Sequence, residues 1–232
     1  MTRDFSEEYY HLRNFEDLAY DAVHLLYLAH DVDREKDQHG YEYTYVRSSI
    51  LNTLLLFECG ANCCIDSLKL SGSYVDDIDK LPFLSKYEFF LSNVKPQIKF
   101  DRGSKETQAV AELKSVRDSY VHPKVKKRKY VQIDELAWDA GFGETDILKI
   151  PRLPKQWGRS HAVSVLKATN DFFNLFFLSW CEFDTDTTCE ILLGSEEASI
   201  PATSSVYIDC IGGLDRVVKE WNIDFKFLGK VV

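Results

Sequence analysis

The six cysteines of this 232-residue chain form no CxxC pair. Cys59, Cys63 and Cys64 fall on one predicted helix, with Cys63 and Cys64 adjacent rather than ligand-spaced, and Cys181, Cys189 and Cys210 are scattered. A zinc site is not expected from that pattern, and in a reducing compartment the six are expected as thiols. Basic charge is also short, with 28 Lys and Arg against 37 Asp and Glu, a net charge of −9. Proteins that coat long nucleic acid through their overall field are normally basic. The balance counts against that class, and any nucleic-acid contact has to be local, in a positively charged cleft. Long apolar runs are missing as well. The longest, Ile50 to Phe57 and Phe172 to Trp180, are interrupted by Asn52 and Asn174 and are too short to span a bilayer. The opening MTRDFSEEYYHLRNFEDL lacks the apolar core of a secretory signal, so a soluble, cytoplasmic protein without a membrane partner is expected. There is no internal repeat and no low-complexity tract. The GFG at 141–143 lacks the strand-to-helix setting of a nucleotide loop.

What is present is the composition of a packed globule, 45% hydrophobic and 13% aromatic, in a chain long enough to bury a full core. Apolar residues recur at helical spacing through most of it. A first helix is expected from Ser6 to about Lys36, with Ser6 as cap and Gly40 as stop. The strongest stripe, Val46, Ile50, Leu54, Phe57, Ala61, Ile65 and Leu68, predicts a helix over 43–70. A loop over YVDDIDKLP leads to helices at 84–94 and 104–121, ended by Pro96 and Pro123. Residues 123–158 read as an irregular insertion holding short elements or forming a lid. A helix over 160–180 is apolar on more than one face, which places it centrally or in a subunit interface. Beyond Phe183, CEILL, SVYIDCI and DFKFLG read as short strands and Leu214 to Trp221 as a short helix. The expected fold is mainly α: a helical bundle over 1–182 with a small C-terminal α+β appendage over 183–232.

One segment points to chemistry. The 104–121 helix ends in VRDSYVHPK, in which Arg117 lies within the apolar stripe of Ala109, Val110, Leu113, Val116, Tyr120 and Val121. A guanidinium cannot stay unpaired against apolar neighbours, because its desolvation costs several kcal/mol. It must meet a carboxylate, an acceptor on a partner subunit or a bound phosphate. His122 precedes a proline, a position that disfavours the helical backbone, so its imidazole leaves the helix at the C-terminal end. Cleaving RNA through its own 2′-hydroxyl needs a base, an acid and cationic donors for the phosphate. Histidine suits both proton transfers near neutral pH, and arginine grips phosphate oxygens bidentately. One chain offers one such pair, and a two-fold dimer would bring two into one cleft.

Arg117-Asp118, then Ser119, Tyr120, Val121 and His122, resembles the R-x4–6-H signature of the HEPN superfamily. Glu58 and Asn62 on the long helix, and LPFLSKYEFFL before the motif helix, are similar to features of its helical members. The resemblance spans about residues 10–180 by element order and leaves out the tail and the 123–158 insertion. Asp118 stands where the family more often has Asn. The resemblance implies a helical bundle, a homodimer, and metal-independent endoribonuclease activity in toxin–antitoxin or defence systems, with no cofactor. His122 would be the general acid or base, Arg117 the phosphate ligand, and Asp118 the residue that tunes them. Lys124, Lys126, Lys127 and Arg128, with Tyr120 as a stacking ring, would hold RNA. An antitoxin or other protein partner is implied too.

Plainer readings stand beside each of these. Arg117 with Glu58 makes an equally good structural ion pair, His122 an ordinary helix cap, and Tyr120 a core residue. The basic run from Lys126 suits a solvated loop. Arg34 to His39 repeats the R-x4-H spacing inside a charged loop and carries no weight. A non-catalytic helical interaction module, or an inactive HEPN relative binding a protein or nucleotide, is the alternative of a different class.

Overall fold

The computed structural model describes residues 13–122, 125, 127, 129–132, 138–139, 141–194 and 214–229. Over these the chain is mainly helical. The first helix, α1 (Phe15–Asp31), buries Phe15, Ala19, Val23, Leu26 and Ala29 along one face. It is shorter than its sequence pattern predicts. Arg13 and Asn14 are not helical, and Val32 turns extended at the other end. Residues 6–12 lie outside the described residues. Gly40, expected to stop α1, instead starts α2 (Tyr41–Ser67) with φ of +69°. Having no side chain, it leaves the capping to Asp37, whose carboxylate accepts the backbone N–H of Tyr41 at 2.9 Å and of Glu42 at 3.0 Å. The hydrogen bond from Glu42, then that from Tyr41, holds the Asp37 carboxyl below its ordinary range.

Helix α2 is the axis of the fold and packs against α1, α4 (Phe83–Val94) and α6 (Arg159–Phe173). Among the described residues it is the one helix long and apolar enough to cross a membrane, and most of that apolar window is buried by its neighbours. Its approach to α4 depends on Gly60. A Cβ there would stand 2.6 Å from the Tyr87 hydroxyl, which itself donates to the Phe57 carbonyl at 2.9 Å. A short helix, α3 (Gly72–Ile78), occupies part of the stretch expected as a loop. Helix α5 (Lys105–Val121) starts at Ser104, whose hydroxyl accepts from the Thr107 N–H, and lies against α6.

Beyond α6 the backbone widens into a π-helical stretch, Asn174–Trp180, closed by a bond from the Cys181 N–H to the Phe176 carbonyl. Phe172, Phe173, Phe176 and Phe177 are fully buried here, so this apolar segment is central. The tail then departs from the expected strands. CEILL belongs to α7 (Thr185–Leu193), which Asp184 caps by accepting the Thr187 N–H at 2.8 Å. DFKFLG forms a single 3₁₀ turn, Lys226–Leu228, and α8 (Leu214–Trp221) lies where the sequence placed a helix. SVYIDCI lies outside the described residues. Phe225, Phe227 and Leu228 return to the core beside Phe15, Phe173 and Phe177. Two amides clasp them. The Asn170 and Asn174 side-chain oxygens accept the Phe225 and Phe227 N–H groups, each at 2.9 Å, while their NH₂ groups donate to Asp224.

Within 123–158 the described residues do hold short elements. Val131–Gln132 (β1) pairs antiparallel with Trp138–Asp139 (β2). Glu112 on α5 fastens the loop that follows, accepting the N–H groups of Asp146 at 2.7 Å and Ile147 at 2.9 Å.

Candidate functional site

The residues singled out by the sequence meet at the C-terminal end of α5. Arg117 is about one-fifth exposed there, and its guanidinium reaches back to the Glu58 carboxylate on α2. It also touches its neighbour Asp118 at 3.2 Å, while its Nε is buried without a hydrogen-bond partner. The demand for a counter-charge that a cation in an apolar stripe creates is thus met within the chain. Glu58 is two-fifths exposed and stands on the rim of a groove of about 550 Å³ between α1 and α2.

Asp118 is held between two cations, at 2.5 Å from Lys114 Nζ one turn back and beside Arg117. Partial burial opposes its ionisation, but the hydrogen bond and charge of Lys114, joined by Arg117, prevail and keep the carboxyl below its ordinary range. Its carboxylate is therefore committed to Lys114 and Arg117 rather than to His122. Only the Asp118 carbonyl meets His122, accepting its backbone N–H at 3.1 Å. His122 follows the last helical residue at φ −114° and ψ 65°, off the helical path, as the following proline dictates. Its ring is exposed and makes no hydrogen bond or ion pair among the described residues.

Tyr120 turns inward and stacks on Trp157, ring centroids 5.6 Å apart; the buried indole donates to the Pro151 carbonyl at 2.7 Å. One face of the tyrosine is thereby occupied. Lys127 is exposed, whereas Lys124, Lys126 and Arg128 lie outside the described residues. The other R-x4-H spacing, Arg34 to His39, sits in the turn between α1 and α2, where Arg34 grips Glu42 through two 2.6 Å bonds. Glu42 is buried, and Arg159 at the start of α6 binds it at 2.9 Å while also donating to the Val32 carbonyl. That arrangement is a structural clamp.

Sequence reasoning passed over two members of this neighbourhood. Lys114 had a visible signal, its i,i+4 relation to Asp118. Lys86 had none in its own helix: it is buried, and its ammonium bonds Asn62 at 2.7 Å and Asp79 at 2.9 Å. Among the described residues no three His, Cys, Asp or Glu side chains converge as metal ligands. Burial pushes the Cys181 and Cys189 thiols up to about 12, which leaves them inert near neutral pH. Comparison with protein-family models, curated proteins and solved structures finds no match for the chain.

Taken together, the site offers an exposed imidazole at a helix end, a guanidinium one to two turns back, two carboxylates that hold that guanidinium, and an ammonium that pairs with one of them. The set suits binding and proton transfer at a phosphodiester. It equally suits an electrostatic tie between α5 and α2.

Proposed function

We propose that the protein is a metal-independent endoribonuclease of HEPN type, acting as a homodimer. The observation that carries the reading is the exposed, uncommitted His122 imidazole at the end of the helix that bears the half-buried Arg117. In this reading one His122 takes the proton of the RNA 2′-hydroxyl as its oxygen attacks the adjacent phosphorus. The P–O5′ bond breaks, and the leaving oxygen takes a proton from the second copy's imidazole. The products are a 2′,3′-cyclic phosphate and a free 5′-hydroxyl. Arg117 holds the non-bridging oxygens, where charge builds up in the transition state. Asp118, bound to Lys114 and Arg117, positions that guanidinium. Lys124 and the basic run Lys126–Lys127–Arg128 track the RNA backbone. A toxin or defence role, with an antitoxin-like partner, belongs to the same reading through the HEPN resemblance.

The Arg117–Glu58 pair favours a second reading. A guanidinium already paired with a carboxylate within the chain is what a non-catalytic helical interaction module would keep. RNase assays in EDTA separate the two. The nuclease reading expects cleavage by the wild type, and loss of it in His122→Ala with the melting temperature unchanged. Cleavage that survives the substitution rules out this mechanism, and a folded wild type inert toward RNA leaves the interaction module.

A further inference from the structure

The outward face of α2 carries a pattern that the described residues of one chain use only in part: Glu58 pairs with Arg117, and Asn62 accepts from the Lys86 ammonium. Thr44, Arg47, Leu51, Leu55, Glu58 and Asn62 recur at spacings of three and four, and all are at least partly exposed. They therefore form one stripe along the helix. Leu55 is 37% exposed. Arg47 makes no hydrogen bond or ion pair among the described residues.

The stripe is complementary to itself. If a second α2 is laid against it antiparallel, Leu51 faces the partner's Leu55 and Arg47 faces the partner's Glu58. Thr44 then faces the partner's Asn62. All three pairings centre on Asn52–Thr53, which is the condition for a two-fold axis through one isologous patch. A parallel pairing would set Arg47 against Arg47 and Glu58 against Glu58, and repulsion between like charges excludes it. The helix, about 40 Å long at 1.5 Å per residue, gives the contact its length, and the central leucines give it an apolar middle with a polar rim.

We infer that this α2 stripe is the interface for a second copy of the chain, and that docking there releases Arg117. The inference rests on the dimeric nuclease reading for its catalytic meaning, while the interface stands on the stripe itself. In one chain alone, Glu58 is the counter-ion of Arg117. In the antiparallel pair the partner's Arg47 arrives at the same carboxylate and competes for it. The Arg117 guanidinium is then free to exchange Glu58 for a phosphate. The two Glu58 carboxylates come to lie about 16 Å apart along the helix axis, eleven residues at 1.5 Å each. The monomer is latent and the dimer is competent.

The test uses the full chain. Sedimentation equilibrium is expected to show a dimer whose Kd rises at least about 100-fold in Leu55→Glu, with helicity and melting unchanged because Leu55 is at the surface. Arg47→Glu alone weakens it about 10-fold. Arg47→Glu mixed with Glu58→Arg pairs better than either variant with itself, since only the mixed dimer matches charge at both ends. Leu51→Cys mixed with Leu55→Cys gives a 51–55 intermolecular disulfide on mild oxidation, and this cross-link reports the register even if a charge variant folds poorly. A wild type that stays monomeric overturns the interface, as does a dimer indifferent to Leu55→Glu or a mixture that yields no 51–55 cross-link. RNA cleavage by the Leu55→Glu monomer overturns the release of Arg117 and, with it, the part given to the second copy's imidazole. A dimer in this register that cleaves no RNA supports the interface and removes the nuclease.

Discussion

The surroundings of Phe173 and the end of α5 differ in what fixes each side chain. Phe173 touches the rings of Phe15, Phe57, Tyr87, Phe177 and Phe227, contributed by α1, α2, α4, the π-helical stretch and the tail. Dense ring packing leaves each of these one position. On the preceding helix, Arg117, Asp118 and Lys114 are fixed by ion pairs at partial exposure, and the His122 ring makes no hydrogen bond or ion pair among the described residues. The first region makes the fold; the second is free to exchange its partners. Groups held by charge in partly wet surroundings can trade a carboxylate for a phosphate at small cost, whereas a buried ring has nothing to trade.

The largest expected effect comes from breaking the packed side of this comparison. Phe173→Ala should cost about 3–5 kcal/mol of stability, measured by urea unfolding. Gly60→Ala should cost about 2–3 kcal/mol through the clash with the Tyr87 hydroxyl. Adding Tyr87→Phe removes the clashing oxygen, so the double variant should be more stable than the sum of the two single losses. Additive losses would show that Gly60 is needed for some other reason.

Glu42 is an intermediate case, buried yet ionic. Glu42→Gln should cost about 2 kcal/mol, because Arg34 and Arg159 then share a neutral amide. The Arg34 hydrogen bond, aided by Arg159 and opposed by burial, keeps the Glu42 carboxyl below its ordinary range. A carboxyl with a depressed folded pKa contributes stability that is present above its unfolded pKa and lost as pH falls through the folded one. Wild type should therefore lose more stability than Glu42→Gln on acidification below the ordinary glutamate range, and parallel stability–pH curves would contradict the clamp. The smallest effect belongs to the site. His122→Ala should change stability by no more than about 0.5 kcal/mol while removing RNA cleavage. A loss comparable to that of Phe173→Ala would erase the contrast between the two regions.

Much of the helical framework was legible because burial writes itself as period. The stripes of α2, α4 and α5 place those helices within a few residues of their observed bounds. Helix α3 left no such trace, since Ile78 alone is buried among its described side chains and seven residues cannot show a repeat. CEILL was misread as a strand because five residues cannot distinguish the two periods; the deciding signal was Asp184, a helix cap placed just upstream. At the site, the need of Arg117 for a counter-charge could be read from its apolar flanks, and Glu58 was the available carboxylate. The hold of Glu112 on the loop at 146–147 could not be foreseen, because backbone N–H groups look alike in every residue type.

The contact between Phe15 and Phe227 has a kinetic consequence. Rings from nearly opposite ends of the described chain have to meet before the aromatic cluster is sealed. The entropy of closing so large a loop falls due before the contact returns anything. Helices α1 and α2 can pair early as neighbours, while completion waits for the tail. During that wait Phe173 and Phe177 face water, and the half-built molecule is most open to aggregation then.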